Sequence, residues 1–190
     1  MPDLVYIDDD GLLGTNFYWH KHDAKGITKE EILSVGLTSD RVQVAREIID
    51  ALVAVDARLQ RERGWRLYIK EGYRSKALYE LIYEKRLAKF GEETKKLFNM
   101  ETMPHATGRS VDVALWDPAI DREVYMRNAE DGTDALFVDF YKERTDEASR
   151  RYQELQTYLI SLMQERGFAL GTKREYFHFD YTSRDSGPEV

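Results

Sequence analysis

Hydrophobic residues recur at helical spacing in three long stretches of the chain. Over residues 40–63 they fall three or four positions apart, and Gly64 follows as a helix stop. The same spacing predicts a second helix over residues 76–91 and a third over about 146–166, with Gly167 after it. These segments are therefore predicted to be the long helices of the fold.

Shorter signals mark one more helix and three strands. Thr28, followed three residues later by Glu31, is typical of a capping box at the start of a short helix. Apolar and polar residues alternate over residues 65–71, and residues 109–115 have the β-branched character of a strand. The aromatic segment 175–181 predicts another strand.

Together these elements predict one α+β domain over residues 1–190, with a small, mostly antiparallel sheet flanked by helices. A chain of 190 residues is long enough to bury a core, and its hydrophobic content of 42% is typical of a folded globule. No internal repeat, low-complexity segment or linker interrupts the pattern.

Charge and composition exclude several classes of function. The net charge of -7 disfavours nucleic acid as a partner, because no basic stripe is present to neutralise phosphates. The lack of cysteine excludes thiol catalysis and cysteine zinc sites. Neither a signal-peptide pattern nor an apolar run of membrane-spanning length occurs, so we expect no membrane partner and a cytoplasmic location.

The candidate chemistry lies in two short segments. Glu175 precedes His178 by three residues in EYFHFDY, and His105 precedes Asp112 by seven residues in MPHATGRSVDVAL. Two imidazoles and one carboxylate give zinc three protein ligands and leave a fourth, open position for water. A nearby glutamate that is not a ligand could act as the general base for that water. The alternative is that His105 and Asp112 are an ordinary loop histidine and strand aspartate.

The geometry of a strand restricts this hypothesis. Residues three apart on a regular strand point to opposite faces of the sheet. Glu175 can therefore face the same metal as His178 only if it lies before the strand or in an irregular turn. In the other segment, Gly108 permits a tight reversal between His105 and Asp112.

Arg74 is a further candidate, in the predicted turn GYRS. Its guanidinium offers fixed donors and a permanent charge, so in a zinc peptidase it could stabilise the oxyanion of the tetrahedral intermediate. The alternative is an ordinary surface or ion-pair arginine.

These segments resemble the motifs of the zinc D-alanyl-D-alanine peptidases, in order and over nearly the whole chain. The family patterns D-x-Y-R-P, S-x-H-S-R-G-x-x-I-D-L-T and E-W-W-H have counterparts in EGYRS, MPHATGRSVDVAL and EYFHF. The sequence TNF at residues 15–17 is similar to the N-terminal DNF or DNI of that family. The group that this chain resembles most is that of the VanX-type D-alanyl-D-alanine dipeptidases.

The resemblance implies a role for each candidate residue. His105, Asp112 and His178 would bind one zinc ion per chain, at the sheet. Glu175 would deprotonate the attacking water and then donate a proton to the leaving amine, and Arg74 would stabilise the transition state. The substrate would be D-alanyl-D-alanine, a similar small dipeptide or a peptidoglycan-derived peptide.

The chain also departs from the family patterns. The residues that differ are Ser75, Met103, Tyr176 and Phe177, which stand where the family has a proline, a serine and paired tryptophans. The family aspartate that holds the substrate ammonium is matched by spacing at Asp131, with Asp134 and Asp139 as rivals. The resemblance to the family therefore supports the metal-binding residues of this chain better than it supports the identity of the substrate.

Three functions stay open from the sequence. The first is a zinc dipeptidase, and the second is a murein carboxypeptidase or endopeptidase of the same superfamily. The third is a non-catalytic binding module that keeps zinc for structure; Glu175 argues against it, because a structural zinc site needs no base. His20 and His22 form a further His-x-His pair, which we interpret as surface residues.

Overall fold

The computed structural model describes residues 2–94 and 100–182. Its helices are Phe17–Lys21 (α1), Lys29–Ser34 (α2), Arg46–Arg63 (α3), Lys76–Phe90 (α4) and Glu147–Gln164 (α5). Its strands are Leu4–Tyr6 (β1), Leu13–Gly14 (β2), Gln43–Ala45 (β3), Arg66–Glu71 (β4), Ser110–Asp117 (β5), Arg122–Glu123 (β6), Phe168–Leu170 (β7) and His178–Tyr181 (β8). None of the helices in the described ranges is long and apolar enough to cross a membrane. The predicted α+β class, with small antiparallel sheets flanked by helices, is confirmed.

The three long helices predicted from the sequence are present as α3, α4 and α5, but one predicted boundary is wrong. Residues 43–45 form strand β3, and α3 begins only at Arg46. Strand β3 pairs antiparallel with β1, with Leu4 opposite Ala45. The apolar residue Val44 fits helical spacing as well as a strand, and its pairing partner is far away in the sequence. Local periodicity therefore could not place this boundary.

The strands form two sheets. Strands β1 and β3 make a two-stranded sheet, and the larger sheet has the order β2-β4-β5-β8-β7, with β6 paired to β5. The β5–β6 and β7–β8 pairs are antiparallel. Several strands that the sequence did not indicate, namely β1, β2, β3, β6 and β7, have only two or three residues. Strands this short carry too few residues to show an alternating pattern.

Contacts divide the chain into two compact units. The first unit comprises residues 1–47 and 69–111, and the second comprises residues 48–68 and 112–190. The expected assignment of residues 1–190 to one zinc dipeptidase-like domain stays a prediction.

In the first unit, helices α1, α2 and α4 share a hydrophobic cluster. Its buried members are Tyr18, Ile27, Ile32, Leu78 and Ile82. Asn16 caps α1 by accepting hydrogen bonds from the backbone N–H groups of Tyr18 and Trp19. The predicted capping box of Thr28 and Glu31 is present at the start of α2.

In the second unit, α5 buries one face along its length. The buried apolar residues of this face are Leu155, Leu159, Leu162 and Met163. Asp146 caps the helix by accepting a hydrogen bond from the backbone N–H of Ser149.

A buried carboxylate joins α3 to the beginning of β4 within the second unit. Asp56 is only 4% exposed and accepts a hydrogen bond of 2.7 Å from the backbone N–H of Leu67. It also accepts hydrogen bonds from Gln60 Nε2 at 2.8 Å and from Arg66 Nε at 3.0 Å. Asp56 therefore satisfies several donors that would otherwise lose their partner on burial.

We predict that Asp56→Ala lowers the free energy of unfolding by about 2–4 kcal/mol, because it leaves a buried N–H and a partly buried guanidinium without this acceptor. Urea denaturation followed by circular dichroism measures the change. Asp50→Ala, at an exposed position of the same helix, is the control and should change the free energy by less than about 0.5 kcal/mol. Equal effects of the two substitutions would contradict a special role for Asp56.

Candidate metal centre

His105 lies in a tight turn of the first unit. The 3-10 turn Pro104–Thr107 contains it, and Gly108 closes the turn with φ of 73°. A Cβ at Gly108 would lie 2.9 Å from the backbone nitrogen of Ala45, so no larger residue fits without a shift. The tight reversal that the sequence predicts at Gly108 is confirmed.

Hydrogen bonds fix both the ring and the backbone of His105, which is only 3% exposed. Its ring Nδ1 lies 2.8 Å from the carbonyl oxygen of Gly72. Its backbone N–H donates to the hydroxyl of Tyr79 at 3.0 Å, and its carbonyl accepts from the backbone N–H of Arg74 at 3.1 Å. Because a carbonyl can only accept, Nδ1 carries the proton and the lone pair of the neutral ring is on Nε2. This tautomer suits a metal ligand.

Asp112 and His178 meet in the second unit. Asp112 is the third residue of β5 and His178 is the first residue of β8, and these strands are neighbours in the sheet. His178 Nδ1 lies 2.8 Å from Asp112 Oδ1. The backbone N–H of Val113 donates to the carbonyl of Phe177 at 3.0 Å, which fixes the two strands at this point.

The segment before His178 differs from the predicted strand. The sequence predicts a strand over residues 175–181, whereas the observed strand β8 begins at His178 and residues 176–177 lie in a turn. The backbone N–H of His178 reaches the carbonyl of Glu175 at 3.4 Å, as in a turn. Glu175 therefore lies before the strand, in the irregular position that a shared metal site with His178 requires.

Carboxylates surround the His178 imidazole. Burial lowers the pKa of this ring, but the hydrogen bond to Asp112 and the charges of Asp112, Asp180 and Glu175 outweigh burial and raise the pKa above its ordinary value. Asp180 Oδ1 lies 3.6 Å from His178 Nε2, on the opposite side of the ring from Asp112. The surroundings of the ring thus favour a cation.

Gly171 makes room for this arrangement. A Cβ at Gly171 would lie 2.3 Å from His178 Cδ2 and 2.6 Å from His178 Nε2, and 2.7 Å from an oxygen of Asp180. The backbone N–H of Gly171 donates to the carbonyl of His178 at 3.1 Å. Any side chain at position 171 would therefore displace the imidazole.

The donor set of the three predicted ligands fits zinc. His105, Asp112 and His178 each offer one ligand atom, and these atoms lie within 4.8 Å of one another. Two imidazole nitrogens and one carboxylate oxygen are the donors of catalytic zinc sites, in which a fourth position stays open. The residues predicted as ligands are therefore brought together.

Arg74 is buried, and it belongs to an ion pair rather than to the surface. It is 7% exposed, and Nε and Nη2 donate to the two carboxylate oxygens of Glu71 at 2.7 and 2.6 Å. Its guanidinium carbon lies 4.4 Å from the ring centre of Tyr79 and 5.0 Å from that of Tyr18. Burial lowers the pKa of Arg74, but the charge of Glu71 outweighs it and the pKa is raised. Arg74 is therefore charged and held in a fixed plane.

Asp131 interacts with side chains of its own unit. Its two carboxylate oxygens accept hydrogen bonds from the hydroxyl of Tyr141 at 2.9 Å and from Nη1 of Arg144 at 3.1 Å. Its rivals Asp134 and Asp139 are exposed. The predicted role of Asp131 toward a substrate ammonium stays a prediction, and its contacts give it a structural role as well.

The His-x-His pair has other partners. His22 Nδ1 lies 2.8 Å from the carbonyl oxygen of Ile27, and His20 Nε2 lies 3.8 Å from Asp40 with both side chains 49% exposed. Neither histidine belongs to the cluster of His105, Asp112 and His178. The interpretation of this pair as surface residues fits these contacts.

Sequence reasoning did not identify four residues that contact the site: Glu71, Tyr79, Gly171 and Asp180. Glu71 lies three residues before Arg74, and Asp180 lies two residues after His178 on the same face of a strand, so both had a detectable signal in the spacing. Tyr79 and Gly171 had none, because their contacts are long-range.

No family model matches the chain, and no curated protein matches it. Among solved structures, the chain is similar to the LdcB LD-carboxypeptidase, with a TM-score of 0.49 and 18% identity over 75% of this chain. It is also similar to a mutant of the vancomycin-resistance D,D-pentapeptidase VanY in complex with Zn(II), with a TM-score of 0.48 and 14% identity over 78% of this chain. The match spans 60% of the LdcB chain and 78% of the VanY chain. Both similarities are weak, so the candidate site rests on the residues of this chain.

We predict that Gly171→Ala weakens zinc binding by about tenfold or more, because the new methyl group displaces His178, and disturbed support of a ligand typically costs 10–100-fold in affinity. Competition with a chromophoric chelator measures the affinity. Thr172→Ala, in the same loop, is the matched control, since the Thr172 hydroxyl accepts a hydrogen bond from the backbone N–H of Arg174. Wild-type affinity of the Gly171→Ala protein would contradict the placement of His178.

Proposed function

We propose that this protein is a zinc-dependent metallopeptidase that hydrolyses D-alanyl-D-alanine or a similar small dipeptide. The observation that carries the proposal is the cluster of His105, Asp112 and His178, whose ligand atoms lie within 4.8 Å of one another. The motif resemblance to zinc D-alanyl-D-alanine peptidases supports the reaction class.

The proposed ligands would hold one zinc ion through Nε2 of His105, a carboxylate oxygen of Asp112 and an imidazole nitrogen of His178. When bound, zinc would lower the pKa of water and polarise the scissile carbonyl group. The ring of His105 is held by the carbonyl of Gly72, and Asp112 and His178 already lie 2.8 Å apart, so the site would be largely preorganised for the metal.

Glu175 is the proposed general base. It lies in the turn before His178, and its negative charge raises the pKa of the His178 ring. The carboxylate of Glu175 therefore interacts electrostatically with the proposed ligand His178. In the proposed reaction its carboxylate accepts a proton from the attacking water. It then delivers this proton to the nitrogen of the leaving amine as the peptide bond breaks.

Arg74 is the proposed cation for the oxyanion. Its backbone N–H donates to the carbonyl of His105 at 3.1 Å, so the arginine is tied directly to a ligand residue. The bidentate pair with Glu71 fixes the plane of the guanidinium, and a fixed charge in a buried setting stabilises developing negative charge without reorganising.

A purely structural zinc site is the less favoured alternative. Structural zinc sites generally use four protein ligands, whereas the cluster found among residues 2–94 and 100–182 contains three. A carboxylate in the position of Glu175 also has no purpose in a closed site. These two features support catalysis.

A carboxypeptidase that trims peptidoglycan stem peptides is the second candidate function. One observation favours it: the predicted ammonium-binding residue Asp131 already has Arg144 at 3.1 Å. Both carboxylate oxygens of Asp131 already accept hydrogen bonds from other side chains, so fewer acceptor positions remain for the free amino group of a dipeptide. A carboxypeptidase does not need those positions, because its substrates lack a free amino group next to the scissile bond.

We predict that Glu175→Gln retains zinc but loses about 10²–10⁴-fold in turnover, the usual contribution of a positioned general base. His105→Ala, in contrast, should lose stoichiometric zinc, because two remaining ligands hold the ion poorly. Metal analysis of the purified proteins and steady-state assays measure both quantities. Loss of zinc in Glu175→Gln would make Glu175 a ligand, and full turnover would remove it from the mechanism.

The choice between the two candidate functions is tested by comparing D-alanyl-D-alanine with its N-acetylated form at equal concentration and with added zinc. As a dipeptidase, the protein should cleave D-alanyl-D-alanine at least about tenfold faster than the N-acetylated compound. Acetylation removes the positive charge of the amino group, which is one partner of the proposed charge pair. Asp131→Asn should reduce this preference. Equal rates for the two compounds, or faster cleavage of the blocked one, would instead support the carboxypeptidase. Cleavage of neither compound, nor of a panel of D,D- and L,D-peptides, would contradict the peptidase proposal itself.

A further inference from the structure

Tyr79 contacts two parts of the candidate site from a buried position on helix α4. The residue is 2% exposed. Its hydroxyl accepts a hydrogen bond from the backbone N–H of His105 at 3.0 Å. Its ring centre lies 4.4 Å from the guanidinium carbon of Arg74. We infer that Tyr79 is a positioning residue that orients His105 for the metal and Arg74 for the transition state, an inference that rests on the proposed function.

The hydroxyl holds a turn that is strained. Met103, two residues before His105, has φ of 38°, in the left-handed region that costs a non-glycine residue of the order of 1 kcal/mol or more. Such a conformation persists only when surrounding contacts hold it. The hydrogen bond from the His105 backbone to Tyr79 is one of these contacts, and it places the Cα from which the imidazole projects.

The side chain and the backbone of His105 are held independently. The ring is fixed by the contact of Nδ1 with the Gly72 carbonyl at 2.8 Å, whereas the backbone is fixed by Tyr79 and by Arg74. Loss of the Tyr79 hydroxyl would therefore allow the turn to shift while the ring keeps its tautomer. The expected result is a distorted metal site and not an abolished one.

The aromatic ring orients the arginine. The Arg74 guanidinium lies over the face of Tyr79 and near Tyr18, and Glu71 binds its edge. A cation over an aromatic ring is attracted by the negative potential of the ring face, more strongly when it is removed from water. The bidentate pair with Glu71 and the two aromatic rings therefore fix the plane of the guanidinium together.

Two substitutions separate the hydroxyl from the ring. Tyr79→Phe removes the acceptor for the His105 N–H and keeps the ring, whereas Tyr79→Leu removes both. Tyr158→Phe is the matched control, because the Tyr158 hydroxyl donates to Glu62 at 2.9 Å on another part of the chain. Circular dichroism at equal concentration verifies that each protein is folded.

Three measurements test the inference: zinc affinity by chelator competition, the visible absorption of the cobalt-substituted protein, and kcat at saturating zinc. Tyr79→Phe should bind zinc about 10–100-fold more weakly and show altered cobalt bands, because the ligand shifts. Its kcat should fall less than that of Tyr79→Leu, because the ring that orients Arg74 is kept. Tyr79→Leu should match Tyr79→Phe in zinc affinity and lose a further fivefold or so in kcat, because Arg74 loses the ring.

Wild-type zinc affinity and cobalt bands in Tyr79→Phe would overturn the role toward His105. Equal kcat in Tyr79→Phe and Tyr79→Leu would overturn the role toward Arg74. If the Leu variant does not fold, Tyr79→Met provides the same comparison with a more adaptable side chain. Failure of this inference can be distinguished from failure of the proposed function, because zinc affinity and cobalt absorption are measured without any substrate.

Discussion

The candidate site depends on the contact between Asp112 and His178 across strands β5 and β8. The 2.8 Å distance between the carboxylate and the imidazole is set by the register of the two strands, which the backbone hydrogen bond from Val113 to Phe177 fixes beside it. Side chains alternate between the two faces of a strand, so a slip of one residue would turn a ligand to the other face. The sheet therefore sets the geometry of two ligands before any metal binds.

The third proposed ligand, His105, is held in a different way. His105 lies in a turn rather than on a strand, and its position depends on hydrogen bonds that it donates to Gly72 and Tyr79 and accepts from Arg74. Turn residues are intrinsically less well fixed than strand residues, and this network supplies the missing rigidity. Strand pairing thus holds two residues of the cluster, and hydrogen bonds around a turn hold the third. The turn is the part that depends most on its neighbours.

The sequence could indicate the three proposed ligands because the few histidines of the chain and the motif resemblance point to the same residues, and the structure brings these residues together. The requirement that Glu175 lie outside a regular strand followed from alternation alone, and the turn before His178 meets it. Strand β3 was not predicted, and its residues were assigned to a helix, because Val44 fits both periodicities. The ion pair of Asp131 with Arg144 could not be predicted, because it joins irregular segments with no periodic signal. Contacts made by tertiary packing, such as those of Tyr79, lie beyond any local pattern.

The crowding of carboxylates around His178 has a thermodynamic consequence. Asp112, Asp180 and Glu175 all place negative charge near one ring, and their mutual repulsion opposes the compact arrangement. If the proposed zinc ion binds here, it would relieve this repulsion, and it would bind the folded arrangement and not the separated residues, so metal loading and folding would be linked equilibria. The resistance of this part of the chain to unfolding and proteolysis would then depend on the supply of zinc, independently of any substrate.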